Sequence, residues 1–129
     1  MHCWNRCGVK ARRGRFSLTM RILITGGFGV VCGRLANHFS QAGDQVVLGS
    51  RNESNPPAWL PKVEVAQIKW SEENALESNC EGVDVIIHAA GINAQECAVD
   101  PVAALEFNGV ATARLVAAAS RSGVKKFIY

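Results

Sequence analysis

No stretch of this 129-residue sequence forms an unbroken apolar run near the roughly 18 residues that a helix needs to cross a bilayer, so no membrane partner is expected. Nor is there a second Cys/His pair close behind His2, Cys3 and Cys7, which removes the fixed four-ligand spacing of a structural zinc, and no metal site is expected. Five cysteines cannot all pair. Without a secretory signal they read as reduced thiols, and a cytoplasmic setting is the expectation. Acids are missing from the first 21 residues, where Arg6, Lys10, Arg12, Arg13, Arg15 and Arg21 stand. The remainder then holds eight basic residues against eleven acidic ones, so the net charge of +3 describes the leader and not the body. A basic tail of this kind, even with Trp4 in it, reads as solvated, and no nucleic-acid partner is expected.

What is present is a globular composition, 48% hydrophobic and 19% charged, with length for one compact domain. Residues 1–19 show no helical or strand period and are read as a disordered basic leader, with the folded unit over 20–129. A β-branched run from Arg21 to Thr25 is followed by Gly26, Gly27 and Gly29, then by a helical pattern from about Val30 to Ala42. Val31, Leu35 and Phe39 share one helical face, and Gly43 stops the helix. Strands are expected at 45–49, near 63–68 and over the apolar run 83–90, with a fifth beginning at Lys125. Ser71 is expected to cap a short helix ended by Gly82; Asp100 and Pro101 open a long Ala-rich helix closed by Ser122 and Gly123. Alternating strands and helices predict an α/β fold: a Rossmann-type doubly wound parallel sheet of about five strands, truncated at its C-terminus.

The densest chemistry lies where the first strand hands over to the first helix, in Thr25-Gly26-Gly27-Phe28-Gly29-Val30-Val31-Cys32-Gly33. Glycines there permit a tight turn and close approach of backbone amides to a diphosphate, and the helix start supplies positive potential. A Walker loop is excluded, because Gly33 is followed by Arg34 and Leu35 and not by Lys and Ser/Thr.

This segment resembles the extended short-chain dehydrogenase/reductase family, the NAD-dependent epimerase/dehydratase group, whose pattern is T-G-x-x-G-x-x-G. Thr25, Gly26 and Gly29 match; Cys32 occupies the last glycine position, and Gly33 is displaced by one. The resemblance implies that Thr25 through Val31 hold the cofactor, and that Ala89, Ala90 and Gly91, after a strand like the family's fourth, line it. It also implies a supporting role for Asn108, with a solvated or locally bonded mid-helix asparagine as the alternative. His88 is open to two readings, catalytic or packed and hydrogen-bonded in the core. At the end of the second strand, where an acid would favour NAD, stand Ser50, Arg51 and Asn52; Arg51 suits a 2′-phosphate, so NADP is favoured over NAD, with Glu53 keeping NAD open. The acid often found after the family's third strand is replaced by Lys69-Trp70.

The family's proton-transfer pair is a tyrosine with a lysine four residues later. Tyr129 is the sole tyrosine here, and no lysine follows it, so no catalytic residue is assigned. The expectation is the NAD(P)-binding portion of a nucleotide-sugar epimerase or dehydratase-like oxidoreductase, inactive by itself, with the sugar site in the rest of a complete enzyme. A non-catalytic NAD(P) sensor or regulatory module is the alternative. An exposed fifth strand invites self-association, so a homodimer of the complete enzyme is a further expectation.

Overall fold

The computed structural model describes residues 19–129; apart from Thr19, the leader expected over 1–19 lies outside them. Five strands form one parallel sheet in the order β3-β2-β1-β4-β5: β1 Arg21–Thr25, β2 Gln45–Ser50, β3 Glu64–Gln67, β4 Val85–His88 and β5 Lys126–Ile128. The chain leaves β1 toward β2 on one side and returns through β4 on the other. The point where strand order reverses therefore lies between β1 and β4, where a crevice opens beyond the strands' carboxyl ends.

Alternation along β1 feeds two cores. Ile22 and Ile24 join Cys32, Ala36, Val46, Leu48, Leu60 and Val63 on one face, the face covered by α1 (Val30–Ala42) and by the loop from β2 to β3. Leu23 joins Val47, Ile68, Leu76, Ile86 and Leu115 on the other, under α2 (Glu73–Cys80) and α5 (Thr112–Arg121). α1 ends as expected: Gly43 has φ +95°, and the amides of Gly43 and Asp44 close onto Ser40 and Phe39.

Several expectations need correction. α1 buries Cys32 and Ala36 in the core it shares with the sheet and Gly33 under Trp59 of the loop from β2 to β3, while Val31 is 71% exposed and Leu35 and Phe39 are half-buried. A helix lying close over a sheet accepts small residues at the contact and leaves larger apolar ones at its margins. Ser71 does not cap α2. A turn from Lys69 to Glu72 carries the chain past it, and Glu72 occupies the cap position without a side-chain hydrogen bond. A short helix, α3 (Ala94–Val99), precedes the long one; the Asn93 side chain caps it by accepting from the amides of Gln95 and Glu96.

The long helix starts as expected, with the Asp100 carboxylate accepting from the Ala103 amide and Pro101 in the first turn. It is not uniform. α4 (Pro101–Leu105) passes into a π-helical segment, Glu106–Ala111, before α5. By length and composition this 21-residue stretch would suit a membrane span, but Leu115, Ala118 and Ala119 are buried in the core instead. At the far edge, β5 leaves Ile128 44% exposed.

Candidate functional site

At the carboxyl ends of β1, β2 and β4 lies a cleft of about 490 Å³. Gly26, Phe28 and Gly29 form one wall, Gly49 to Asn52 with Ser54 a second, and Ala89 to Gly91 a third; Trp70 and Phe107 close it. The turn after β1 explains the first wall. Gly26 has φ +71°, and a Cβ there would stand 2.8–2.9 Å from the carbonyl of Ala89 and the amide of Ala90. Only glycine satisfies both the left-handed backbone and this approach to the exit of β4. The Gly29 amide then donates to the Gly26 carbonyl at 3.0 Å, and α1 begins with no side-chain cap and no acid in its first turn. Uncapped amides at the positive end of a 13-residue helix suit a diphosphate.

The other residues expected to hold a cofactor stand in different places around the cleft. Ser50, Arg51, Asn52, Ala89, Ala90 and Gly91 line the cleft with Gly26, Phe28 and Gly29. Gly27 is buried behind it, where a Cβ would meet Leu48 Cδ2 at 2.7 Å, so this glycine serves the packing of the turn on the sheet. Val30 and Val31 are 78% and 71% exposed on the outer side of α1, Val30 beside a neighbouring hollow that also touches Trp59. Thr25 is fully buried beneath the floor, and its Oγ1 accepts from the Ala90 amide at 3.4 Å. Asn108 sits behind the third wall: Oδ1 accepts from the Ile92 amide at 2.7 Å and Nδ2 donates to the Ile92 carbonyl at 3.1 Å. The asparagine thus holds the segment after β4 in place of a strand neighbour.

His88 proves to be a packed, hydrogen-bonded core residue, 4% exposed, with Thr25 Oγ1 2.6 Å from Nδ1 and Thr112 Oγ1 2.9 Å from Nε2. Burial pulls its pKa below the ordinary imidazole value. Cys32 is also buried, and desolvation raises its thiol pKa. Gly49, Ser54, Trp70 and Phe107 line the cleft without having been assigned to it from the sequence. Of these, Trp70 left a signal, as the apolar ring beside the position where an acid is replaced. Its buried Nε1 lacks a hydrogen-bond partner, the single such side-chain atom among the described residues. No cluster of metal-ligating side chains occurs among the described residues.

Electrically the cleft is one-sided. Arg51 is the one charged residue in its lining, which holds no carboxylate; Glu53 borders an adjoining hollow with Asn55, Val65 and Gln67, and Ser54 lines both. Residues 22–129 match the family model of the NAD dependent epimerase/dehydratase family. No curated protein matches the chain. Among solved structures it is similar to an epimerase from Methanothermobacter thermautotrophicus, at 26% identity over 86% of this chain and 34% of that one, TM-score 0.74. It shares the fold of UDP-glucose 4-epimerase from Thermotoga maritima (20% identity, 84% and 36% covered, TM-score 0.72). It shares it also with an NAD-complexed variant of uronate dehydrogenase from Agrobacterium tumefaciens (22%, 84% and 39%, 0.68). The chain spans 34–39% of the length of these three proteins.

Proposed function

The chain belongs to the NAD dependent epimerase/dehydratase family, and from that premise we propose that it is the cofactor-binding portion of an oxidoreductase acting on nucleotide sugars, with NADP preferred over NAD. The observation that carries the reading is the convergence of Gly26, Gly29, Arg51 and Ala89–Gly91 on one cleft at the point where the strand order reverses. When bound, the nicotinamide would take up or return a hydride. This chain's residues have the other tasks. Amides at the start of α1 would hold the diphosphate; Ser50, Arg51 and Asn52 would take the adenosine ribose; Ala89, Ala90 and Gly91 would form the apolar wall along the dinucleotide.

The preference for NADP rests on the acid-free lining. An acid accepting from the ribose hydroxyls would repel a 2′-phosphate, whereas the Arg51 guanidinium, which forms no ion pair among the described residues, offers it a charge-assisted pair. Such hydrogen bonds to a charged group are worth about 1.5–3 kcal/mol, or about 10–150-fold in affinity. Among these 129 residues no tyrosine is followed by a lysine four positions on, and the chain by itself is expected to bind without turning over.

Titration of the purified chain with NADPH and NADH, followed by indole fluorescence, tests this, since Trp70 lines the cleft. NADPH is expected to bind more tightly, and Arg51→Ala to weaken NADPH by about tenfold or more while changing NADH by less than about threefold. Failure of both cofactors to bind at millimolar concentration refutes the reading; an equal loss for both in Arg51→Ala refutes the NADP preference alone.

A further inference from the structure

Beneath the floor of the cleft, five groups from β1, β4 and the segment after it, the π-helical segment and α5 form one hydrogen-bonded line. It runs from the Ala90 amide to Thr25 Oγ1 (3.4 Å), to His88 Nδ1 (2.6 Å), then from His88 Nε2 to Thr112 Oγ1 (2.9 Å) and on to the Asn108 carbonyl (2.9 Å). Chemistry at the two ends fixes every proton between them. The Asn108 carbonyl can only accept, so Thr112 donates its hydrogen there. Thr112 therefore accepts from His88, and Nε2 carries the ring proton. Nδ1 of the neutral ring is left as an acceptor, which takes the Thr25 hydrogen and turns the Thr25 lone pairs toward the Ala90 amide. The line also closes on itself. Asn108, whose carbonyl ends it, grips Ile92 through its side chain, so the segment from Ala90 to Ile92 is held at both ends.

We propose that His88 is a positioning residue: as the neutral Nε2–H tautomer it aims Thr25 at Ala90 and so sets the Ala89–Gly91 wall of the cleft, and a second proton on His88 releases that wall and weakens dinucleotide binding. The proposal rests on the cofactor reading above. On protonation Nδ1–H would point at Thr25 Oγ1, already approached by the Ala90 amide, and the Thr25 hydrogen would lose its acceptor. Among the described residues Thr25 Oγ1 has no hydrogen-bond partner besides these two.

The surroundings do nothing to welcome an imidazolium charge. His88 is faced by Thr25 from β1, Trp70 from the loop after β3, Thr112 from α5, and Phe127 and Tyr129 from β5 and its end. Tyr129 is the one titratable group among them, and no carboxylate is present. Burial alone lowers the His88 pKa, so the ring is neutral near pH 7 and the change falls on the acid side of 6.5.

The test has two arms. In the first, nitrogen NMR of the unmodified chain at pH 8 reads the His88 tautomer, its signals identified by their loss in His88→Asn; protonated Nε2 and bare Nδ1 are expected. In the second, NAD+ affinity is followed by indole fluorescence from pH 8 downward through the pH at which nitrogen NMR shows His88 taking its second proton. NAD+ is the probe because it lacks the phosphate monoester of NADP, which itself titrates near pH 6. Affinity should fall on the acid side with a slope approaching tenfold per pH unit. His88→Asn keeps an acceptor for Thr25 but cannot titrate, so the affinity it retains at pH 8 should remain flat with pH. The Nδ1–H tautomer in a chain that binds NAD+, a flat profile in the parent, or an acid limb that persists in His88→Asn overturns the positioning role alone. The Nε2–H tautomer in a chain that binds no NAD+ at any pH overturns the cofactor reading, and with it the link from His88 to binding.

Discussion

Replacing Gly26 with alanine should separate two costs that a glycine at this turn avoids together. Among the described residues four glycines have positive φ: Gly26, Gly43, Gly82 and Gly123. At Gly43 the backbone is left-handed, φ +95°, but a Cβ would meet nothing within 4 Å. At Gly26, φ +71°, the same atom would fall 2.8–2.9 Å from the Ala89 carbonyl and the Ala90 amide, backbone atoms that cannot swing aside as a flexible side chain would. Gly43→Ala therefore measures the left-handed penalty, about 1–2 kcal/mol. Gly26→Ala adds an overpacking cost of about 1–3 kcal/mol, for a total of about 2–5 kcal/mol. Urea unfolding followed by circular dichroism gives both values. The displaced atoms are also a wall of the cleft, so if about 1.4 kcal/mol of the strain is relieved by moving that wall, cofactor affinity falls about tenfold in Gly26→Ala and is unchanged in Gly43→Ala. Equal destabilisation by the two substitutions would refute the close-approach argument, and an unchanged cofactor affinity in Gly26→Ala would refute the role of the Ala89–Ala90 backbone as its wall.

Cys32→Gly restores the glycine of the family pattern but empties a site that is 5% exposed within the α1-side core. Loss of buried volume and the helix penalty of glycine should destabilise by about 1–3 kcal/mol in urea unfolding, with cofactor affinity raised by no more than about threefold. A large gain in affinity would show that the thiol obstructs the cradle. At the opposite end of the sheet, the Asp84 carboxylate accepts from the Lys125 ammonium at 2.6 Å and from the Arg21 amide at 2.9 Å, and these bonds hold its pKa below the usual aspartate value. A lowered folded-state pKa stabilises fully above the unfolded value and loses that contribution as pH falls through the folded one. The difference in urea midpoint between the parent and Asp84→Asn should therefore be constant near neutrality and shrink below about pH 4; a difference that persists unchanged in acid counts against the ionic origin.

How much of this was legible depended on whether a feature was written locally. β1, the glycine turn and both ends of α1 stand out because glycines punctuate a β-branched run and a helical period within 23 residues, Arg21 to Gly43. Arg51 could be placed at the second strand's end for the same reason. The inner face of α1 was less legible, since Val31, Leu35 and Phe39 recur at helical spacing as well as Cys32 and Ala36 do, and only the closeness of the sheet decides between them. The six residues of α3 are too few to show a period, and the π-helical segment, Glu106–Ala111, lies inside one continuous helix with no proline or break in the sequence to mark where the hydrogen-bond spacing changes. His88, Thr25 and Thr112 meet across separations of 63 and 24 residues, so their line of hydrogen bonds exists only in the fold.

The shifted glycine of the motif has its cause in that same tertiary setting. Positions 32 and 33 lie side by side in the first turn of α1 yet face different bodies. Cys32 is buried in the core that α1 shares with β1 and β2, through Ile22, Ile24 and Leu48. Gly33 lies under the loop between β2 and β3, where a Cβ would stand 2.9 Å from Trp59 Cη2. Glycine at 33 thus answers to the indole packed on it, while the thiol at 32 occupies apolar space between helix and sheet. Gly27 is likewise committed to Leu48. Four glycines crowd this turn and helix start, but two of them serve packing, and the demands of a bound diphosphate fall on Gly26, Gly29 and the uncapped amides that follow them.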